Sequence, residues 1–169
     1  MNIFILDKNI TRSAQYHVDK HVVKMPLETA QLLCTARHEL GENADTIPYR
    51  KTHANHPCSI WARESVSNYI WLCKFGLELC KEYTHRYGKT HKCEAVINDC
   101  YHNVPWPALF EEVDKTKHAQ AMDEQYKMSD PVLAYRNYYN QAKSHLHSWK
   151  NRPVPSWVKN FSNKSKVFA

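Results

Sequence analysis

Over residues 11–40 and again over 57–87, apolar side chains recur at three- and four-residue spacing, and no sustained alternation of period two competes with that pattern. Only three glycines punctuate the 169 residues. A chain patterned this way cannot bury its apolar surface as a sheet. It is expected to fold as an all-α, compact single-domain bundle of about four to five helices joined by long loops. Its length matches about one domain. Residues 1–161 are expected to form that domain, with 162–169 as a flexible tail.

The first helix should start near Thr11 or Ser13 and end at Gly41. Pro26 lacks a backbone donor and should bend or split it. A second helix should begin after Asn55, with Pro57 in its first turn, and run toward Tyr87-Gly88. A short third segment covers 90–101. A further helix should follow the cap pair Asp130-Pro131 as far as about Trp149. Residues 104–127 hold Pro105 and Pro107 and read as an irregular crossover.

The formal charge of +6 favours a polyanionic partner. No apolar run approaches the roughly 20 residues of a membrane span, and the stretch 1–6 is too short for a signal core, so neither secretion nor membrane insertion is expected. Six cysteines without a CxxC pair read as reduced thiols of a cytoplasmic protein. The expected state is a monomer or small homo-oligomer without cofactor or metal.

On the first helix His17, His21, Lys24, Glu28 and Gln31 share one face, with Lys20 at its edge. Val18, Val22, Met25, Leu32 and Ala36 flank that strip on one side; Val23, Leu27, Ala30 and Cys34 flank it on the other. Ionisable groups confined between two packed flanks describe the floor of a cleft. They also fit a solvated strip supported by Lys24 and Glu28 at i,i+4. The two histidines lack the HExxH arrangement of a zinc site, and Lys24 would repel a cation.

Other groups extend the candidate surface for a DNA or nucleotide ligand. His53 and His56 precede a helix N-terminus that favours anions, or simply cap it. Arg63 and Asn68 are the polar exceptions among Trp61, Trp71 and Phe75, whose spacing is that of core. Glu82 and Arg86 read as a surface pair of little weight. Arg136, Tyr139 and Lys143 share a face that is either a phosphate-contact strip or solvated. Trp149, Lys150, Arg152, Trp157, Lys159 and Phe161 interleave aromatic and basic groups, as base stacking or an ordinary docked tail would.

Asp19-Lys20-His21 followed by Glu28, then Arg152-Pro153 with Trp157, Lys159 and Phe161, resembles the phage endonuclease V type of pyrimidine-dimer DNA glycosylase and AP lyase. His56-Pro57 and the step Tyr87-Gly88-Lys89-Thr90-His91-Lys92 resemble cellular relatives. The resemblance implies an all-α domain whose N-terminal α-amine attacks the sugar C1′, displaces the base and leaves an imine. Glu28 would manage protons, and His21, Lys20 and Lys24 would hold phosphates. α-Amines as a class titrate near pH 8 and are therefore partly neutral at working pH.

Two departures stand out. The phage enzyme exposes a small residue after losing its methionine, whereas Asn2 is too large for efficient removal and should leave Met1 in place. Leu27 and Gln31 occupy positions where the phage enzyme carries arginines beside its glutamate. Lys20 or Lys24 would replace Met1 as the amine if burial or a neighbouring cation activated it. Three readings stay open: a glycosylase with lyase activity, a module that binds nucleic acid or nucleotide without chemistry, and another nucleotide-directed enzyme using His17 and His21 as acid and base.

Overall fold

Pinned hydrogen bonds, more than periodicity, decide where the helices begin and end. The computed structural model describes residues 1–159. Phe161 and the expected tail 162–169 lie outside the described residues. Within those described, six α-helices appear: α1 (Ile10–Gln15), α2 (Asp19–Glu39), α3 (Pro57–Glu64), α4 (Val66–Tyr87), α5 (Glu94–His102) and α6 (Pro131–Ala142). No sheet forms among them; the strand-like contact is an isolated parallel bridge between Ser65 and Glu112. No described helix is long and apolar enough to cross a membrane.

The first expected helix is two. It breaks at Val18, which is extended (φ −62°, ψ 154°), and not at Pro26, which α2 carries in its interior. The cause is tertiary. The Asp19 amide donates to the Ser148 carbonyl at 2.8 Å, and the Asp19 carboxylate accepts from Arg86, Ser148 and the Lys150 amide. Those bonds fix Asp19 as the start of a new helix. The second expected helix likewise divides at Ser65 (φ −139°, ψ 142°), whose hydroxyl caps α4 by accepting from the Asn68 amide. There the Glu112 amide takes the Glu64 carbonyl, and Val66 donates to Glu112.

α5 begins at Glu94 rather than 90, because Gly88 closes α4 in the left-handed region (φ 65°) and His91 accepts from the Cys93 amide. α6 stops at Ala142, short of Trp149. A 3-10 turn, Ser144–Leu146, follows, and His147 turns back to donate to the Tyr139 carbonyl.

α2 packs against α3, α4 and α5. At Gly76 on α4, in the seam with α2, a Cβ would lie 2.7 Å from Thr29 Cγ2 of α2 and 3.1 Å from Ile97 Cδ1 of α5. Gly76→Ala should therefore overpack the seam, costing about 1–3 kcal/mol against a helix-propensity gain of about 1 kcal/mol. We expect a lower melting temperature that is recovered in Gly76→Ala/Thr29→Ser, which deletes the offending methyl. No recovery in the double variant would show that the seam is not the cause.

Residues 2–6 thread through the core without forming a helix; Ile3, Phe4, Ile5 and Leu6 are all buried. Side chains satisfy much of their polar backbone. His118 Nε2 donates to the Ile3 carbonyl, Arg136 Nε to the Leu6 carbonyl, and the Leu6 amide donates to Ser13 Oγ. All six cysteines are buried free thiols. The thread ends at Met1 against α2.

Candidate active site

Glu28 lies at mid-helix on α2, its side chain only 8 % exposed. Its Oε1 is 3.0 Å from the Met1 α-amine, and its Oε2 is 3.6 Å from Lys24 Nζ. Lys24 is 67 % exposed, so the burial that would activate it is missing, whereas the Met1 side chain is 4 % exposed. One carboxylate thus faces, on one oxygen, the primary amine of a residue whose side chain is buried and, on the other, a solvated cation. Such a pair can pass a proton between amine and carboxylate and can stabilise positive charge developing beside it.

The rest of the strip divides. His21 is buried, stacked on Phe4 with ring centroids 4.4 Å apart, and shares a 2.6 Å hydrogen bond with the Tyr139 hydroxyl. Burial, helped by the charges of His17, Lys143 and Lys24, pushes its pKa down to about 3. Lys20 is exposed and Gln31 half-buried on α2. His17 belongs to the break before α2, fully buried, with Nδ1 donating to the Ser13 carbonyl and Nε2 without a partner among the described residues. Of the two flanks, Val18, Val22, Met25, Leu32 and Ala36 are buried as expected. On the other side Ala30 and Cys34 are buried, but Val23 and Leu27 are exposed. Among the described residues the strip is open along that edge.

His56 is the N-cap of α3: its Nδ1 accepts from the Cys58 amide at 3.1 Å, which leaves the proton of the neutral ring on Nε2. Burial lowers its pKa, and the positive charge of the Met1 amine adds to the effect while Glu28 opposes it. His56 therefore stands within electrostatic reach of the amine–carboxylate pair.

Other candidates are engaged in the fold. Arg63 Nη1 donates to the Ala54 carbonyl. Asn68 is fully buried, donating to the Trp61 carbonyl and Thr116 Oγ1 and accepting from the Thr116 amide. Arg136 holds the Leu6 carbonyl and Asp7, and Arg152 grips Glu82 with two 3.0 Å bonds. Trp157 packs edge-on to Tyr16, with the Arg136 guanidinium 5.3 Å from its ring. Lys143 lies over Tyr138, and Lys159 is exposed, its amide donating to Asn140. Glu82 and Arg86, expected on the surface, are both buried. Among the described residues no cluster of three or more His, Cys, Asp or Glu could hold a metal.

The buried histidines make stability depend on pH. Burial holds His17 and His118 at about 4 and His21 at about 3. In the unfolded chain each titrates near 6.5, so below that pH the unfolded state binds more protons and stability falls as pH falls. We expect the melting temperature to drop steadily from pH 6.5 toward 4, with a shallower slope in His17→Asn. An unchanged slope in that variant would remove His17 from the account.

Two residues that sequence reasoning missed complete the surroundings. Asn2 Oδ1 accepts from the Tyr135 hydroxyl at 2.6 Å and from the Ile3 amide at 2.9 Å. Asn2 Nδ2 donates to the Ala121 carbonyl at 2.9 Å. No local pattern announces this, since Tyr135 and Ala121 lie more than 100 positions away.

Fold and site together define a class: an all-α domain that presents a primary amine to a nearly buried carboxylate on its longest early helix. A family model for pyrimidine dimer DNA glycosylases matches residues 1–95, more than half of the chain, and the chain belongs to that family. The matched segment carries Met1, Asn2, Glu28 and His56. No curated protein and no solved structure gives a significant match.

Proposed function

We propose that the protein is a DNA glycosylase with AP lyase activity, acting on a pyrimidine dimer or modified base through an imine formed by the Met1 amine. The observation that carries this reading is the 3.0 Å contact between that amine and Glu28 in a chain of this family. The neutral amine attacks C1′, and the electron pair of the C1′–N bond leaves with the base, which takes a proton from water. The new C1′–N ammonium gives its proton to Glu28. Glu28 returns it to O4′ as the ring opens, leaving the imine.

A C2′ proton then passes to water, its electron pair forms the C2′=C3′ bond, and the 3′ phosphate leaves with the C3′–O pair, cutting the strand. On this reading Lys24, beside the pair, Lys20, exposed earlier on α2, and Lys143, close enough to His21 to act on its charge, meet phosphates. On this reading His56 steadies the departing base with a hydrogen bond from its neutral Nε2–H, the transferred proton coming from water, and adds no cation beside the amine.

The test is incubation with duplexes carrying a cyclobutane pyrimidine dimer or an abasic site, with and without borohydride. Expected are cleavage and a reduced covalent adduct mapped by mass spectrometry to Met1. Intact DNA without adduct would overturn the enzymatic reading, and salt-sensitive binding alone would mark a binding module.

A further inference from the structure

A chain terminus is ordinarily the loosest part of a fold, and an amine carried on it ordinarily samples many directions. Here the residue next to the amine is the most heavily bonded of the N-terminal thread. Asn2 is 9 % exposed and uses both ends of its amide: Nδ2 to the Ala121 carbonyl, Oδ1 to the Ile3 amide and the Tyr135 hydroxyl, with Cys58 Sγ 4.0 Å from the same oxygen. The Tyr135 hydroxyl is itself held, accepting from the Ala121 amide at 3.1 Å on a fully buried ring. The crossover, α3 and α6 therefore converge on one amide side chain. Because the Met1–Asn2 peptide bond is planar, anchoring Asn2 leaves only its own φ and the ψ of Met1 between this anchor and the amine. The Glu28 contact and the buried Met1 side chain restrict those two rotations.

We propose that Asn2 and Tyr135 are positioning residues: a clamp that aims the Met1 amine so that it meets Glu28 and, on the reading above, the sugar C1′. The clamp needs an amide rather than a carboxylate or an apolar group, since Ala121 offers an acceptor and Ile3 and Tyr135 offer donors. Neither residue touches the reacting atoms. Their effect is on the orientation of the amine, where a displacement of about 1 Å costs roughly 100-fold in rate.

The experiment has two arms, so that failure of the functional reading and failure of the clamp are told apart. The variants are Asn2→Leu, which keeps a bulky second residue and so retains Met1, and Tyr135→Phe, which keeps the buried ring and loses only the hydroxyl. Intact mass confirms Met1 in each. In the first arm, without DNA, formaldehyde and cyanoborohydride label the α-amine, and peptide mass spectrometry follows labelling at Met1 against pH. Glu28→Gln should change that labelling rate at least about twofold when the clamp is intact and should have no further effect in either clamp variant. A Glu28 effect of the same size in both clamp variants overturns the proposal.

The second arm measures single-turnover borohydride trapping on abasic DNA. Asn2→Leu should slow trapping roughly 100-fold with DNA affinity unchanged, and Tyr135→Phe should slow it less. Loss of affinity in step with rate would assign the residues to general folding and overturn the clamp. Absence of any wild-type adduct would sink the functional reading, while the labelling arm would still decide the clamp.

Discussion

Glu28→Gln is expected to slow cleavage at an abasic site by roughly 10²–10⁴-fold, the range that a positioned proton-transfer group supplies. That corresponds to about 3–5 kcal/mol of transition-state stabilisation. The amide keeps an oxygen for the Met1 amine at the position of Oε1, so the thread should stay seated and binding of abasic DNA should barely change. What it loses is the capacity to take the proton that the attacking nitrogen sheds and return it to O4′. Trapped adduct should therefore be scarce rather than accumulate. Lys24→Met, which removes an exposed cation 3.6 Å away, should leave the chemical step nearly intact and weaken DNA binding in a salt-dependent way. Equal losses from both substitutions would place the chemistry elsewhere, and an inactive Glu28→Gln protein with a collapsed melting curve would assign Glu28 to folding.

The contrast between Glu28 and its neighbours shows what a sequence can carry. The 3.6-residue pattern is a local property and gives the helical class, the two long helices and the face on which Glu28 and Lys24 sit. Cap chemistry is also local: Asp130 accepts from the Val132 amide at the start of α6, as its Asp-Pro pair predicts. The breaks at Val18 and Ser65 are different, since each is imposed by a segment far along the chain, through Ser148 and Lys150 in one case and Glu112 in the other. Periodicity runs straight through both. Ser65 could have been suspected, because a serine three residues before Asn68 is a cap waiting for a helix start.

The same reasoning separates the candidate site residues. Met1 and Glu28 come from the family resemblance together with the helix face, and the fold brings them to 3.0 Å. His17 shares the periodicity of the stripe but not its helix, because Asp19 restarts the backbone. Arginines are the least legible of all, as Arg63, Arg136 and Arg152 each have the composition of a phosphate contact and each spends its donors on carbonyls or carboxylates of the fold. A guanidinium offers five donors in fixed directions, and a buried acceptor uses them as readily as a phosphate does.

Arg86→Met should destabilise the fold by about 3–5 kcal/mol, the usual result of breaking a buried ion pair from one side, and lower the melting temperature by on the order of 10 °C. The Arg86 side chain is 0 % exposed; Nε donates to Glu82 at 2.8 Å, Nη1 to Asp19 at 2.9 Å and Nη2 to the Gln15 carbonyl at 3.0 Å. These three acceptors lie in three directions, so Arg86→Lys should recover little. The loss reaches function because Asp19 begins the helix that carries Glu28 and also holds Ser148 and Lys150. Its pH dependence supplies the check. Burial pushes the Glu82 carboxyl upward, but hydrogen bonds from Arg152 and Arg86 outweigh it and hold the group below its ordinary value. A carboxylate so depressed adds stability that is present above the unfolded value, near 4.3, and is lost as pH falls through and below it. With Arg86 gone, Arg152 is the partner left on Glu82 among the described residues, so the acid-side loss should shrink even as total stability drops. An Arg86→Met protein that keeps the wild-type slope below pH 4.5 would show that Glu82 draws its stabilisation from Arg152 alone.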